Sequence, residues 1–332
     1  MADTNPNTGT ATPVGAEHAP WQFVKHRTAD PHGGSVYTTA DRTAFRRTGG
    51  PALREEAAAQ RGLHALGFPV PRLLDQGPAP QTDTGDWCVV EESLGECTLH
   101  DLALATARDG HLADEVVDQA ASVGARLLTA QARHPLPGGH QAVTAWQRQA
   151  GWLDNVLTEN PDLDNSRLNA ALEHAVDRIE ELPLVHGHLD YGLPNVLPAG
   201  VIDWQHHGPA PLGYDTALAL EIVAFKGGTK GYLPTPEQRC RYLELLDATA
   251  QQATGHRVSP YRGPFLLVKS LFFLALMKPA DPTRSDKHTK WHYRRHLLLE
   301  GLAQYERTAD IDTARFPTLN QFAAGHPTAG HP

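Results

Sequence analysis

The polar and apolar positions of this chain follow two regimes. Residues 22–93 read as strands with one helix between them. SVYTT and TAFRR alternate about Ala40-Asp41-Arg42, which predicts a hairpin. PALREEAAAQRGLHALG comes next. Pro51 opens it, Glu55 and Glu56 sit in its first turns and Gly67 follows its last turn, so a helix is predicted. PVPRLLDQG and DWCVVEES predict two further strands. From about Leu99 the apolar spacing becomes helical in LHDLALATA, DEVVDQAASVGARLLTAQAR, TAWQRQAGWLDNVL and SRLNAALEHAVDRIEE. The apolar run 265–277 is too short to span a bilayer and carries Lys269 in its middle, so it reads as a buried helix.

A β-rich segment followed by a helical mass predicts an α+β protein of two lobes, joined near residues 91–95. The expected layout is a loose tail over 1–20, a first lobe over 21–94, a second over 95–316 and a polar, Gly/Pro-rich tail over 317–332. The first twenty residues show no basic segment followed by an apolar one, so no targeting signal is expected.

Composition narrows the classes. With 332 residues, 40% hydrophobic and 20% charged, the chain has enough apolar content for large cores, which excludes wholesale disorder. Cys88, Cys97 and Cys240 are scattered, with no CxxC. This excludes a disulfide scaffold and a cysteine zinc ribbon and fits a reducing cytosol. A net charge of -9 disfavours nucleic acid as a partner, and no segment predicts a membrane span. The charge is uneven. Residues 1–180 carry 24 acidic and 14 basic side chains, residues 181–332 carry 14 and 15.

The stretch with chemistry is VHGHLDYGLPNVLPAGVIDW, residues 185–204. Asp190 is followed five residues later by Asn195. Asn195 opens the apolar pair Val196-Leu197, Pro198-Ala199-Gly200 makes a turn, and the return Val201-Ile202 ends in Asp203. A hairpin brings its two ends together, so Asn195 and Asp203 would present an amide oxygen and a carboxylate side by side. Hard oxygen ligands of that kind suit Mg²⁺. Asp190, on the loop just before, can accept a proton from a substrate hydroxyl. One base and two metal ligands are what phosphoryl transfer needs from one side of a site.

H-L-D-Y-G-L-P-N followed by a hairpin and I-D-W resembles the catalytic loop and metal aspartate of the aminoglycoside phosphotransferase and choline kinase-like family, which has a two-lobe, protein-kinase-like fold. The resemblance runs in order over about residues 22–224. Gly33-Gly34-Ser35 is similar to the nucleotide-binding loop between the first two strands. Arg46, in Phe45-Arg46, stands where the family has its phosphate-binding basic residue, and Glu56 resembles the helix partner that orients it. Arg47 is a neighbour able to take that role, although it should face the other side of the strand. Glu91 and Ser93, in V-V-E-E-S-L-G, resemble the last strand and hinge, whose backbone would hold the base. Asp215, in G-Y-D-T-A, resembles the aspartate that braces the catalytic loop, with His188 as a further structural support.

The resemblance implies an ATP- and Mg²⁺-dependent kinase, Asp190 its catalytic residue, phosphorylating a hydroxyl of an antibiotic, amino sugar or related alcohol, with antibiotic resistance as one such role. Three departures from the family are visible: arginine replaces the usual lysine, the hairpin is short, and His186-Gly187 is followed by His188 where the family has aspartate. The near-neutral charge of residues 181–332, with Lys226, Lys230, Lys287, Lys290, Arg294 and Arg295, points to a neutral or weakly cationic acceptor. It is expected near Asp190, against residues 214–225 and 291–296. Two alternatives use the same residues: a zinc metallo-hydrolase built on His186, His188 and Asp190, and a kinase-like binding protein without catalysis.

Overall fold

The computed structural model describes residues 20–27, 33–79, 85–138, 152–277 and 285–325. The chain divides into two compact units, 1–65 with 70–96 and 66–69 with 97–332.

The first unit is an antiparallel sheet with one helix. β1 (Trp21–His26), β2 (Ser35–Thr39), β3 (Ala44–Gly49), β4 (Leu73–Pro78) and β5 (Trp87–Glu92) lie in the order β1-β2-β3-β5-β4. The expected hairpin is β2–β3, with Tyr37 opposite Arg46. The tip is tied by Asp41, whose Oδ1 accepts from the Thr39 hydroxyl at 2.6 Å and from the Thr43 amide at 3.1 Å. Helix α1 (Pro51–Ala65) packs Leu53 and Ala57 against Val89 on the sheet, a small core of its own.

The second unit is mainly helical: α2 (Leu99–Thr106), α3 (Asp114–Arg133), α4 (Trp152–Glu159), α5 (Ser166–Ile179), α6 (Pro236–Thr254), α7 (Arg262–Ala275), α8 (Ser285–Thr308) and α9 (Leu319–Gly325). α2 starts on a capping box between Thr98 and Asp101, and α6 on one between Thr235 and Gln238. α3 buries Val116, Val117, Val123, Leu127 and Leu128 along one stripe and packs on α6. α7 is buried on nearly every side between α5 and α8, as its apolar run predicts.

Two short ladders complete this unit. β6 (Leu184–Gly187) pairs with β9 (Gly208–Pro211), and β7 (Val196–Leu197) pairs with β8 (Gly200–Val201). The chain therefore leaves one ladder at residue 188 and returns to it at 208, and everything between is a closed loop with a hairpin in its middle. Gly200 belongs to the return strand, so the turn is Pro198-Ala199 alone.

Two expectations need comment. Residues 1–19 and 326–332 of the expected tails, and residues 144–151 of one expected helix, lie outside the described residues. Residues 319–325, expected as tail, instead form α9. Phe322 anchors it, packing 5.6 Å from the Tyr293 ring and 5.2 Å from His296, so one aromatic holds a segment whose composition reads as loose.

Candidate active site

In the first unit, a buried ion cluster fixes Arg47, the neighbour of the arginine that resemblance assigned to phosphates. β3 places Arg46 and Arg47 on opposite faces of the sheet. The sequence put Arg46 beside Glu56; the structure corrects this to Arg47. Arg47 Nη1 donates to Glu56 Oε1 at 2.8 Å, and its Nη2 donates to Glu91 Oε2 at 3.0 Å and to Gln60 Oε1 at 3.3 Å. Gln60 also donates to Glu91 at 3.1 Å and to the Pro71 carbonyl at 2.9 Å. Glu56 is only 1% exposed, and Arg27 comes within 3.9 Å of it, so two cations meet two carboxylates away from water. Arg46 lies on the other face, its guanidinium 4.4 Å from the Tyr37 ring centroid and 5.2 Å from that of Trp21. Strand alternation separates the two arginines, and Arg47 is the one on the face that α1 covers.

The hinge expectations shift as well. Glu91 sits in a central strand, its carboxylate committed to Arg47 and Gln60. The Ser93 amide donates to the Thr43 carbonyl at 2.9 Å, and its hydroxyl to the Gly95 carbonyl at 3.0 Å. The Glu91 carboxylate and the Ser93 N–H are both engaged within the first unit.

At the start of β2, Gly34 has φ +147° and approaches β3 so closely that a Cβ there would meet the Thr48 carbonyl oxygen at 2.2 Å. No other residue fits. Ser35 is buried. Its amide donates to the Thr48 hydroxyl at 3.0 Å and its hydroxyl lies 3.2 Å from His26 Nδ1. Gly33 precedes this close approach with φ +73°.

The second unit carries the H-L-D-Y-G-L-P-N motif, and the polar contacts at its centre come from residues 188–215. His188 is fully buried. Its Nε2 lies 2.8 Å from the Ile202 carbonyl, and its Nδ1 accepts the Asp190 amide at 3.2 Å. These partners fix the tautomer with the proton on Nε2. Its ring packs 4.8 Å from Trp204, which is buried against Phe68. Asp215 stands at the start of a short helical turn but does not cap it. Its carboxylate reaches back to accept the His188 amide at 2.6 Å and the Leu189 amide at 2.9 Å. Leu189 needs that hold, because its φ of +66° is unfavourable for a branched side chain. Asp215→Asn presents an amide N–H₂ towards one of these donors. It is expected to lower stability by about 3 kcal/mol in chemical denaturation and to reduce kcat together with it.

Asn195 bridges the loop to the hairpin. Its Nδ2 donates to the Asp190 carbonyl at 2.9 Å and reaches Asp190 Oδ2 at 3.3 Å. Its own carbonyl accepts the Ile202 amide at 2.9 Å, which extends the β7–β8 pairing by one step. Asn195 and Asp203 therefore stand together at the open end of the hairpin. Arg126 clamps the closed end, donating to the carbonyls of Pro198 at 2.7 Å and Ala199 at 3.1 Å. Asp203 takes a left-handed backbone, φ +65°, and its carboxylate has no hydrogen-bond or ion-pair partner among the described residues. With Nδ2 of Asn195 spoken for, Oδ1 is the oxygen left over. One amide oxygen and one unpartnered carboxylate fit a hard divalent cation such as Mg²⁺.

The same geometry overturns the zinc alternative. Both ring nitrogens of His188 are engaged by backbone groups, so neither offers a lone pair to a metal. Among the described residues, no group of three or more His, Cys, Asp and Glu side chains is arranged to hold a metal.

Asp190 is exposed and opens onto a cleft of about 750 Å³ within the second unit. Ile222, Val223, Phe272, Phe273 and Leu276 give it apolar walls, and Lys226, Lys230 and Lys269 line it together with His206 and His207. The expected wall from residues 214–225 is present in part. Residues 291–296 do not line the cleft; α7 takes their place. Lys269 is the residue that the sequence reading passed over. It is 7% exposed, donates to the Leu189 carbonyl at 3.3 Å and lies over the Phe272 and Tyr214 rings. Its signal was visible, since a lysine inside an apolar helix needs a purpose for its ammonium.

The sequence pattern of the phosphotransferase enzyme family matches residues 36–253, and the chain belongs to that family. No curated protein sequence matches it. Among solved structures, it is similar to a protein of Ralstonia eutropha JMP134 assigned as an aminoglycoside phosphotransferase. That match has 13% identity and a TM-score of 0.54, and covers 89% of this chain and 95% of the other. Looser likenesses are to a Plasmodium vivax ethanolamine kinase, with 12% identity, TM-score 0.49 and coverage of 85% and 81%, and to an aminoglycoside-3'-phosphotransferase of type VIII, with 21%, 0.47 and coverage of 76% and 93%. The fold is protein-kinase-like: an antiparallel sheet unit and a mainly helical unit.

Proposed function

We propose that this phosphotransferase moves the γ-phosphoryl group of ATP to a hydroxyl of a small molecule. The observation that carries this reading is the assembly of Asp190, Asn195 and Asp203 on one braced loop, with Asp190 opening onto a cleft of about 750 Å³. In this reading Asn195 Oδ1 and the Asp203 carboxylate hold Mg²⁺. When bound, the cation neutralises charge on the phosphate oxygens.

The Asp190 carboxylate orients the acceptor hydroxyl and takes its proton as the new P–O bond forms and ADP leaves. Asn195 holds Asp190 at its backbone, Asp215 holds the two amides before it, and His188 ties the loop to the hairpin. The enzyme contributes positioning and electrostatics, not a covalent intermediate. In the first unit, the phosphate-contacting role passes from Arg46 to Arg47, which Glu56 and Glu91 hold rigid. A thermal-shift titration with ATP tests the reading. Mg·ATP should raise the Tm of the wild type, ATP with EDTA should raise it far less, and Asp203→Asn should lose most of the Mg²⁺-dependent part. Equal shifts with and without Mg²⁺ would remove Asn195 and Asp203 from the metal site.

A further inference from the structure

Three lysines face the acceptor cleft, and their surroundings are unusual for this molecule. Elsewhere Arg47 is matched by Glu56 and Glu91, and Arg262 and Arg239 by Glu221, while the buried Arg294 beside the cleft, like the lysines, lies against aromatic rings. Lys226, Lys230 and Lys269 form no ion pair among the described residues. Lys226 lies 5.0 Å from the Phe273 ring centroid, and the one hydrogen bond of Lys269 goes to a neutral carbonyl. Asp190 is the sole carboxylate among the described residues that line the cleft. Asp190, and at Lys269 also the Asp215 carboxylate, oppose this charge only in part, so three ammonium groups on apolar walls leave an excess of positive charge that suits an anionic ligand.

Resting on the phosphotransferase reading, we propose that the acceptor is an anion: a hydroxylated small molecule whose carboxylate or phosphate is held by Lys226, Lys230 and Lys269 while its hydroxyl meets Asp190. An amino sugar would bring its ammonium group against three like charges, and the nearby Arg294 adds a fourth to the field at Lys226. The crowding is already felt in the free protein. Burial and the neighbouring Arg294, Lys230 and Lys269 pull the Lys226 ammonium down to about 8, with Asp190 opposing. Burial lowers Lys269 in the same direction. A bound anion relieves this, so anion binding should weaken as pH rises through about 8, where Lys226 loses its proton.

Four size-matched probes separate the outcomes in the presence of Mg·ADP at low salt: gluconate, glucose 6-phosphate, glucose and glucosamine. At least one of the two anions should raise the Tm, and glucose and glucosamine should not. Which anion binds more tightly tells a carboxylate site from a phosphate site. Lys226→Ala and Lys230→Ala should each weaken binding of that anion about tenfold while the Kd of Mg·ADP stays within about twofold. The charge reversal Lys226→Glu should admit glucosamine. The proposal is overturned if neither anion shifts the Tm, if glucosamine or glucose shifts it as much, or if the alanine variants lose Mg·ADP, which would assign the lysines to nucleotide phosphates. If an anion binds but Mg·ADP and Mg·ATP do not, the phosphotransferase reading fails and the anion site survives it.

Discussion

Asp190→Asn is expected to lower kcat by about three orders of magnitude and to leave the Kd for Mg·ATP within about twofold. The substitution is nearly isosteric. The backbone carbonyl of residue 190 still accepts from Asn195, and the Asp215 brace on the preceding amides is untouched. What disappears is the carboxylate that faces the cleft, and an amide cannot take a proton from an alcohol. Steady-state ADP release and calorimetric nucleotide binding read the two quantities separately. A variant with normal kcat would show that Asp190 is neither base nor orienting group. A variant with lost nucleotide affinity would move Asp190 into the metal site.

The second large effect lies in the first unit and is a matter of stability. Arg47→Met leaves the Glu56 and Glu91 carboxylates buried without their shared guanidinium. Breaking a buried network from one side costs about 3–5 kcal/mol. Arg46→Met removes a guanidinium stacked on Tyr37 and Trp21 and should cost about 1 kcal/mol or less. The two adjacent arginines thus differ several-fold, and urea denaturation of the pair measures it directly. A larger loss at Arg46 would return the Glu56 partnership to the residue first assigned to it.

The helix periods were plainly written, because α1, α3 and α5 each bury one continuous stripe. The loop and hairpin of residues 188–203 were equally legible as a pattern, since their spacing is a property of a short chain segment. Three features were not. The choice between Arg46 and Arg47 depends on which sheet face α1 covers, and no local pattern states that. Lys269 stood out as a charge within an apolar run, but the loop that it bonds is 80 residues away in sequence, so its place was not readable. Glu91 was read for its backbone, while its side chain does the work through Arg47, 44 positions earlier. Burial partners from distant segments were the common cause of each miss.

The loop between β6 and β9 has a consequence for how such a protein can diversify. Its main ties, from the Asp215 brace to the hairpin and the β6–β9 ladder, join residues 184–215 to one another. The lysines and aromatic walls of the cleft come from 219–232 and from α7. On the proposed reading, reactivity and selectivity are therefore inscribed on different stretches of the gene. Recombination or drift in the second stretch can exchange one acceptor for another while the first is inherited intact, and that separation makes a scaffold of this kind easy to retarget.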